Sequence, residues 1–261
     1  MTTTVLRAQE LSVAYDGNPV ITGLDLSITR GQITTLVGAN GSGKSTLLKT
    51  LGRILKPAAG QVFLDDEPIT ALATKDVARR LAVLPQTPTA PAGITVRDLV
   101  MRGRNPHQTW ARPWSAHDAR IVTEALTATG LDQVADRDVA ALSGGQRQRV
   151  WIALVVAQQA PTLLLDEPTT YLDLTHQLSV LSLVRRINTD TGATVVMVLH
   201  DLSLAARYSD RLVVMHAGTV VADGPPADVL TPATLLQAFD LHARVVPDPV
   251  TGTPLVVPES H

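Results

Sequence analysis

A glycine-rich loop between a strand and a helix constrains the fold of this chain most. Residues 33–37 are apolar or β-branched and lead directly into Gly38-Ala39-Asn40-Gly41-Ser42-Gly43-Lys44-Ser45, after which residues 44–52 have a helical pattern. The loop matches G-x-x-x-x-G-K-[ST], in which glycines allow backbone N–H groups to turn inward around phosphate oxygens. The segment therefore predicts a strand–loop–helix unit that binds phosphate. An ordinary glycine turn is the alternative, and the flanking strand and helix argue against it.

The residue types in this loop suggest specific contacts with a nucleotide. Lys44 has the length and charge to reach the β- and γ-phosphates, and the helix that begins there adds its positive dipole end. Ser45 supplies a hydroxyl ligand for magnesium. The other binding candidates in and around the loop are Gly38, Asn40, Gly41, Ser42, Gly43 and Thr46.

Two carboxylates follow a second apolar strand. Residues 163–165 are three leucines, and Asp166, Glu167 and Pro168 come next. We predict that Asp166 holds magnesium through water, and that Glu167 polarises the attacking water as a general base or positioning group. Seen alone, Asp-Glu-Pro after a strand is also compatible with a simple turn.

A third segment, Ser143-Gly144-Gly145-Gln146, opens a helix that is predicted to run to Gln159. Ser143 is a good N-cap, so a plain helix cap is one interpretation. The other interpretation uses the same physics, because an uncovered helix N-terminus with two glycines can admit a phosphate group closely.

The pattern along the chain predicts an α/β protein. The first part has the pattern of strands, and residues 87–142 include two helical stretches, 95–104 and 115–129. Strands and helices alternate after Leu142, which implies a mostly parallel core sheet. We predict one domain in which residues 1–86 and 143–240 form the core, 87–142 form a helical subdomain and 241–261 form a hairpin tail. A structural edge is the simplest interpretation of that hairpin.

Composition narrows the class of protein further. The chain has 261 residues, 45% hydrophobic and 18% charged, and a net charge of -2, which gives no indication of a nucleic-acid partner. It has 0 Cys, which excludes disulfides and thiolate metal sites and fits a reducing cytosol. We see no signal peptide and no apolar run near the ~20 residues that span a bilayer, so membrane association is expected through a partner.

These segments in this order resemble the ATP-binding cassette (ABC) family, and the resemblance covers nearly the whole chain. It implies a P-loop NTPase of ABC type with a mostly parallel core sheet, an antiparallel β-subdomain and a helical insertion. It also implies ATP and Mg²⁺ as ligands, with Gln86 and His200 joining Glu167 in catalysis, Gln86 also touching magnesium and Tyr15 stacking on adenine. Ser143, Gly145 and Gln146 would bind ATP held by a second copy, and Asp173 would communicate between the two sites.

Three further segments resemble the ATPases of bacterial importers for ferric siderophores: residues 102–107, residues 166–173 with His176-Gln177, and residues 196–202. Asn105 departs from that group, where many relatives carry an aromatic residue. The resemblance implies a homodimer in the ATP-bound state, a separate membrane permease, an external substrate-binding protein and a location on the cytoplasmic face of the plasma membrane. Haem and cobalamin importers stay open as alternatives, and a cassette protein acting on nucleic acid is a further one.

Overall fold

A computed structural model describes residues 3–109 and 114–259. Positions 110–113 of the predicted helical subdomain, and the outermost positions of the predicted core and tail, lie outside the described residues. Within the described ranges, no helix is both long enough and apolar enough to cross a membrane.

The elements alternate along the chain much as the sequence pattern predicts. The strands are β1 (Thr4–Tyr15), β2 (Asn18–Thr29), β3 (Ile33–Gly38), β4 (Ala59–Leu64), β5 (Glu67–Pro68), β6 (Leu81–Leu84), β7 (Thr162–Leu165), β8 (Thr194–Val198), β9 (Arg211–His216), β10 (Thr219–Gly224), β11 (Ala243–Pro247) and β12 (Pro254–Pro258). The α-helices are α1 (Lys44–Leu51), α2 (Thr74–Arg80), α3 (Val96–Met101), α4 (Ala116–Ala128), α5 (Gly144–Ala157), α6 (Leu174–Thr191), α7 (Leu202–Tyr208), α8 (Pro226–Val229) and α9 (Pro232–Phe239).

The central sheet has the strand order β10-β9-β3-β8-β7-β6. Its neighbours from β9 to β6 are parallel, and β10 is antiparallel to β9 at one edge. Both faces of this sheet are covered. In β3, Ile33 and Val37 pack against α5, α6 and α7, whereas Leu36 packs towards α1 and the second sheet. Burial on both faces explains why these strands read as continuous apolar runs.

The second sheet is antiparallel, with the order β2-β1-β4-β5. Its first hairpin turns at Asp16 and Gly17, whose φ angles of 48° and 81° are both positive, as tight hairpin turns require. The sheet shares an apolar cluster with α1, which places it beside the glycine-rich loop. The predicted α/β fold with a mostly parallel core sheet and an antiparallel β-subdomain is therefore confirmed.

A third apolar cluster lies among α3, α4 and α5. Helix α5 contributes Val150, Ala153 and Ala157 to this cluster, and Ile152 and Val155 to the cluster under the central sheet. The helix therefore belongs to both regions, although the predicted division assigns it to the core alone. That division into core, helical subdomain and tail stays a prediction.

Some local predictions differ from the structure. Residues 95–104 read as one helix, but α3 ends at Met101 and Arg102–His107 form a 3-10 helix that contains Pro106. Proline has no N–H group to continue an α-helix, which accounts for the change. Several elements that the sequence pattern did not predict are also present: α2, β10, α8 and α9.

The C-terminal strands β11 and β12 pair antiparallel. Val245 and Val256 pack on the apolar cluster under the central sheet, and Val256 N donates to Ser203 Oγ over 3.4 Å. Ser203 lies in the first turn of α7, so the hairpin rests on the helix that follows His200.

Candidate functional site

The order of the parallel strands brings the predicted site residues to one edge of the sheet. Strands β3, β8, β7 and β6 are consecutive neighbours and run in the same direction. Their carboxyl ends therefore lie side by side, where ligands bind in open α/β sheets. The glycine-rich loop leaves β3, His200 follows β8, Asp166 and Glu167 follow β7, and Gln86 follows β6.

The glycine-rich loop is folded around the Lys44 ammonium. Lys44 Nζ donates to the carbonyl oxygens of Gly38 and Ala39 over 2.8 and 2.9 Å, and lies 3.5 Å from Ser42 Oγ. Burial lowers the pKa of Lys44, against the opposing effects of Glu167 and Asp166. The ammonium is thus held inside the loop by carbonyl groups.

The glycines of this loop are required by its geometry. A Cβ atom at Gly38 would lie 2.2 Å from the carbonyl oxygen of Met215 in β9, so a larger residue would displace the backbone. Gly43 has a φ of 100°, a conformation that side chains rarely adopt. The loop therefore keeps a tight path between β3 and α1.

Asp166 is placed against the first turn of α1. Ser45 Oγ donates to Asp166 Oδ1 over 2.7 Å, and Lys49 Nζ lies 3.8 Å from Asp166 Oδ2. Asp166 is only 2% exposed, and burial raises its pKa despite the Ser45 hydrogen bond. Among the described residues, Oδ2 has no hydrogen-bond partner. A buried carboxylate oxygen without a hydrogen bond, beside a serine hydroxyl, fits the oxygen ligands that Mg²⁺ prefers.

Glu167 is the centre of a polar cluster at the same edge. Its Oε2 accepts hydrogen bonds from Gln86 Nε2 over 2.6 Å and from Thr170 Oγ1 over 2.8 Å. Its Oε1 lies 2.8 Å from His200 Nε2. Burial raises the pKa of Glu167, but the hydrogen bonds from Thr170, His200 and Gln86 outweigh it and hold the pKa below its usual value. The carboxylate is therefore ionised, oriented and partly shielded from water.

The backbone at Glu167 is unusual as well. Glu167 has a φ of 51°, in the left-handed region that few non-glycine residues occupy. Such conformations persist where the surroundings impose them, and they cluster at functional sites. Here the conformation accompanies a carboxylate that is directed towards both Gln86 and His200.

The helix N-terminus at Ser143 forms a capping box. Ser143 Oγ accepts from Gln146 N over 3.2 Å, and Ser143 N donates to Gln146 Oε1 over 3.1 Å. Gly145 is buried, whereas Gly144 is exposed. Asp173 caps α6, because its side chain accepts a hydrogen bond from His176 N. The His176 side chain packs against Gly145, so the first turn of α6 lies next to the first turn of α5. Among the described residues, no hydrogen bond joins Ser143, Gln146 or Asp173 to the glycine-rich loop.

The predicted site residues thus fall into two groups. One group contains Gln86, Glu167 and His200 together with the lysine loop and the Ser45–Asp166 pair. The other contains Ser143, Gly145, Gln146 and Asp173.

The remaining predicted residues lie around the loop. Tyr15 is 43% exposed at the end of β1, and Val20, a few residues further along the hairpin, approaches Gly43. Asn40 and Gly41 are exposed, and Thr46 is half-buried in the first turn of α1. The side chains of Tyr15 and Asn40 are therefore accessible.

Sequence reasoning did not find Thr170 as a site residue. Its hydroxyl reaches Glu167 from three positions further along the chain, within the turn that follows β7. The signal in the sequence was the spacing of a hydroxyl residue after the paired carboxylates. This spacing predicts a contact between Thr170 and Glu167 only once the left-handed backbone at Glu167 is known.

Comparisons with known proteins agree with this geometry. A family model described as "ABC transporter" matches residues 21–170. The achromobactin transport ATP-binding protein of Dickeya dadantii (strain 3937) is 50% identical over 98% of this chain and 95% of its own length. The iron(3+)-hydroxamate import ATP-binding protein of Bacillus subtilis (strain 168) is 48% identical over 96% of this chain and 93% of its own length. A hemin import ATP-binding protein of Nocardia farcinica (strain IFM 10152) is 46% identical over 97% and 88%.

Solved structures show the same fold. An inward-facing conformation of a putative metal-chelate type ABC transporter superposes with a TM-score of 0.85 at 27% identity, over 99% of this chain and 98% of the other. A dimeric bacterial ABC transporter cassette gives a TM-score of 0.75 at 25% identity, over 85% and 98%. Sequence, sheet order and site geometry agree, and the chain belongs to the ABC transporter family.

Proposed function

We propose that this chain is the ATP-hydrolysing subunit of a bacterial importer that takes up an iron–siderophore complex through a separate membrane permease. The observation that carries the ATPase assignment is the Glu167 carboxylate, which Gln86, Thr170 and His200 hold at the sheet edge beside the lysine loop. The names of the achromobactin and iron-hydroxamate relatives support the class of cargo.

ATP would bind along the glycine-rich loop. The triphosphate would take the backbone N–H groups between Gly38 and Lys44, and Lys44 would exchange its present carbonyl partners for phosphate oxygens. The exposed ring of Tyr15 is available to stack on the adenine, and Asn40 and Thr46 would flank the phosphates. Burial of the Lys44 ammonium strengthens its interaction with an anion.

Ser45 and Asp166, with Gln86 nearby, would hold Mg²⁺. When bound, this ion neutralises negative charge on the phosphate oxygens that the reaction rearranges. Among the described residues, no group of three or more His, Cys, Asp or Glu side chains could hold a metal by itself. The remaining ligands at this position would therefore come from phosphate and water.

Glu167 would orient the water that attacks the terminal phosphorus atom. An ionised carboxylate accepts a hydrogen bond from that water, and its lowered pKa keeps it ionised near neutral pH. His200 and Gln86 fix the direction of the carboxylate from two sides. ATP and water then give ADP and inorganic phosphate, and the proton released from the water leaves through the carboxylate or with the phosphate.

A second copy of the chain would complete each site. The helix N-terminus at Ser143 has an exposed glycine, Gly144, and among the described residues it makes no hydrogen bond to the lysine loop of its own chain. Such an end can bind the terminal phosphate of ATP held by a partner through N–H groups and the helix dipole. The dimeric cassette that shares this fold supports the arrangement, in which Ser143, Gly145, Gln146 and Asp173 act in trans.

The permease and an external substrate-binding protein would supply the path and the specificity. The region around α3, α4 and the Arg102–His107 turn, including Asn105, would contact the permease on the cytoplasmic face of the membrane. A haem importer is the second candidate, because the Nocardia hemin relative is 46% identical. The siderophore relatives reach 50%, which favours the first candidate. The net charge of -2 does not favour a nucleic-acid partner.

The decisive experiment measures uptake in a host that lacks this chain. Radioiron would be offered on a citrate-type, a hydroxamate and a catecholate siderophore, and labelled hemin would be a parallel arm. The host would carry the wild-type chain, Glu167→Gln or no chain. Uptake of one ferric chelate that only the wild type restores is the expected result. Restored uptake of hemin alone would overturn the iron–siderophore assignment and leave the ATPase assignment standing.

A further inference from the structure

The imidazole of His176 fills the space in front of Gly145. A Cβ atom placed on Gly145 would lie 2.3 Å from His176 Cδ2 and 3.0 Å from both Cγ and Nε2. At Gly144 the same construction meets only Leu172 Cδ2, at 4.0 Å. The two glycines of the helix N-terminus therefore differ. Gly144 has open space before it, whereas Gly145 is covered by a side chain from α6.

Asp173 holds the same imidazole from its other side. His176 Nδ1 lies 2.7 Å from Asp173 Oδ1, and His176 N donates to that oxygen over 2.9 Å. The backbone and side-chain hydrogen bonds from His176 hold the pKa of Asp173 below its usual value. An ionised Asp173 accepts only, so Nδ1 carries the proton and the ring orientation is set.

The segment that leads to Asp173 is also tied to the catalytic carboxylate. Thr170 donates to Glu167 Oε2, and Gln177 Nε2 donates to the carbonyl oxygen of Leu172 over 3.0 Å. A continuous set of contacts thus runs from Glu167, through the turn after β7, to the ring of His176 and the backbone of Gly145.

We infer that His176 is a positioning residue that locks the helix N-terminus at Gly145 to the Asp173 loop, so that both present one preformed surface to the second copy of the chain. This inference rests on the proposed function, because it assumes that the two segments complete the partner's site. It also gives a second reason for a glycine at position 145, besides the close approach of a phosphate. The absence of a Cβ atom makes room for the imidazole.

The test compares His176→Ala, His176→Asn and the control His117→Ala. His117 is matched because it lies in the first turn of α4 and is exposed, and among the described residues its side chain has one hydrogen bond, to Arg120. We expect His176→Ala to lower kcat about 3- to 10-fold, the range of one lost hydrogen bond, with an unchanged KM for ATP. His176→Asn keeps a donor near the Nδ1 position and should retain more activity. His117→Ala should match the wild type.

A double-mutant cycle with Gly145→Ala separates positioning from phosphate access. In the native background the added methyl group would displace the imidazole and lower kcat. In the His176→Ala background the same change should cost much less. An equal loss in both backgrounds would mean that Gly145 is needed for phosphate approach alone, and the inference would be overturned.

Dimer formation gives a second measurement, which is independent of the folding stability of the monomer. In the Glu167→Gln background, sedimentation would report the ATP concentration that assembles half of the chains. His176→Ala should raise that concentration while leaving the thermal midpoint of the ATP-free monomer unchanged. A wild type without ATPase activity, or a Glu167→Gln variant that never dimerises, would count against the proposed function. A fully active His176→Ala variant that dimerises normally would count against His176 alone.

Discussion

At the scale of single residues, the site depends on how each carboxylate is surrounded. Asp166 and Glu167 are adjacent in sequence, yet the pKa of Asp166 is raised by burial, while that of Glu167 is lowered by its hydrogen bonds. Asp166 Oδ2 has no hydrogen bond among the described residues, whereas both oxygens of Glu167 have partners. The surroundings of Asp166 suit a bound cation, because a cation would stabilise the buried charge. The surroundings of Glu167 suit a carboxylate that must remain ionised and oriented.

Thr170 offers a test of how the pKa of Glu167 is set. Thr170→Val removes one hydrogen bond to the ionised carboxylate, so the pKa of Glu167 should rise. The acid limb of the kcat–pH profile should then move to higher pH, by about half a pH unit to one pH unit for a bond of ordinary strength. Steady-state ATPase assays across pH measure the midpoint of that limb.

The matched control is Thr123→Val on the exposed face of α4, where the hydroxyl donates to the carbonyl oxygen of Ala119 and has no other hydrogen bond among the described residues. Its profile should coincide with that of the wild type. If Thr170→Val lowered kcat without moving the acid limb, Thr170 would affect the rate by some route other than the ionisation of Glu167.

At the scale of elements, α5 is held at its C-terminal end by a buried ion pair. Arg104 is 3% exposed, and its Nε donates to Asp118 Oδ1 over 2.9 Å. The same guanidinium donates to the carbonyl oxygen of Ala157 over 2.8 Å. Arg104 comes from the 3-10 helix and Asp118 from the first turn of α4, so the pair joins three elements at one point.

We expect Arg104→Met to lower the free energy of unfolding by about 3–5 kcal/mol, because it leaves Asp118 buried without its cation. Replacing both residues, as Arg104→Met with Asp118→Leu, should cost less than the sum of the two single changes. Urea unfolding of the three variants measures these values. Additive losses would show that the two side chains do not stabilise the protein as a pair.

The same pair predicts a pH dependence of stability. Hydrogen bonds from Ser115 and then Arg104 lower the pKa of Asp118 from 3.8 to about 2. The stabilisation by this pair is therefore complete when the pH is above the pKa of Asp118 in the unfolded chain, and it is lost as pH falls from about 4 towards about 2. The slope of unfolding free energy against pH in this window should be smaller in Arg104→Met than in the wild type.

At the scale of the whole molecule, the two groups of site residues belong to different elements of the fold. The lysine loop and Glu167 occupy the carboxyl edge of the central sheet, while Ser143 and Gly145 occupy the start of α5 beside α6. The proposed dimer would unite the loop of one copy with the helix N-terminus of the other. Each chain would then contribute one half of each of the two sites.

Mixing two inactive variants tests this arrangement directly. Lys44→Ala should lose productive ATP binding, and Ser143→Arg should bind ATP but block closure of the dimer over ATP held by the partner's loop. In a mixed dimer, the loop of the Ser143→Arg chain meets the intact helix N-terminus of the Lys44→Ala chain, which restores one complete site. We expect ATPase activity to reappear on mixing and to depend on the ratio of the two chains.

Each variant mixed with itself is the control and should stay inactive. Mixtures that remained as inactive as their components would argue that each chain completes its own site, or that both sites must be intact for turnover. Labelled nucleotide bound by Ser143→Arg alone separates these cases, because a site completed within one chain would lose affinity in that variant.

Most of the strands, the main helices and the segments that carry chemistry could be predicted from the sequence, because these depend on local patterns. Residue spacing was enough to predict the glycine-rich loop, the paired carboxylates after three leucines and the Ser143 cap. The shorter elements α2, α8 and α9 were not, because they are too short for a clear helical period. Pro106 was visible, but its conversion of the predicted helix to a 3-10 helix was not.

Which of these residues come into contact depends on the packing of the elements and could not be predicted from local patterns. Gln86 and Glu167 are far apart in the chain, and their 2.6 Å contact exists because β6 and β7 are parallel neighbours. His200 joins them because β8, which comes later in sequence, lies between β3 and β7. The contact of His176 with Gly145 likewise depends on how α6 packs beside α5. Local sequence sets which elements form, whereas packing of apolar faces sets their order in space, and that order assembles the site.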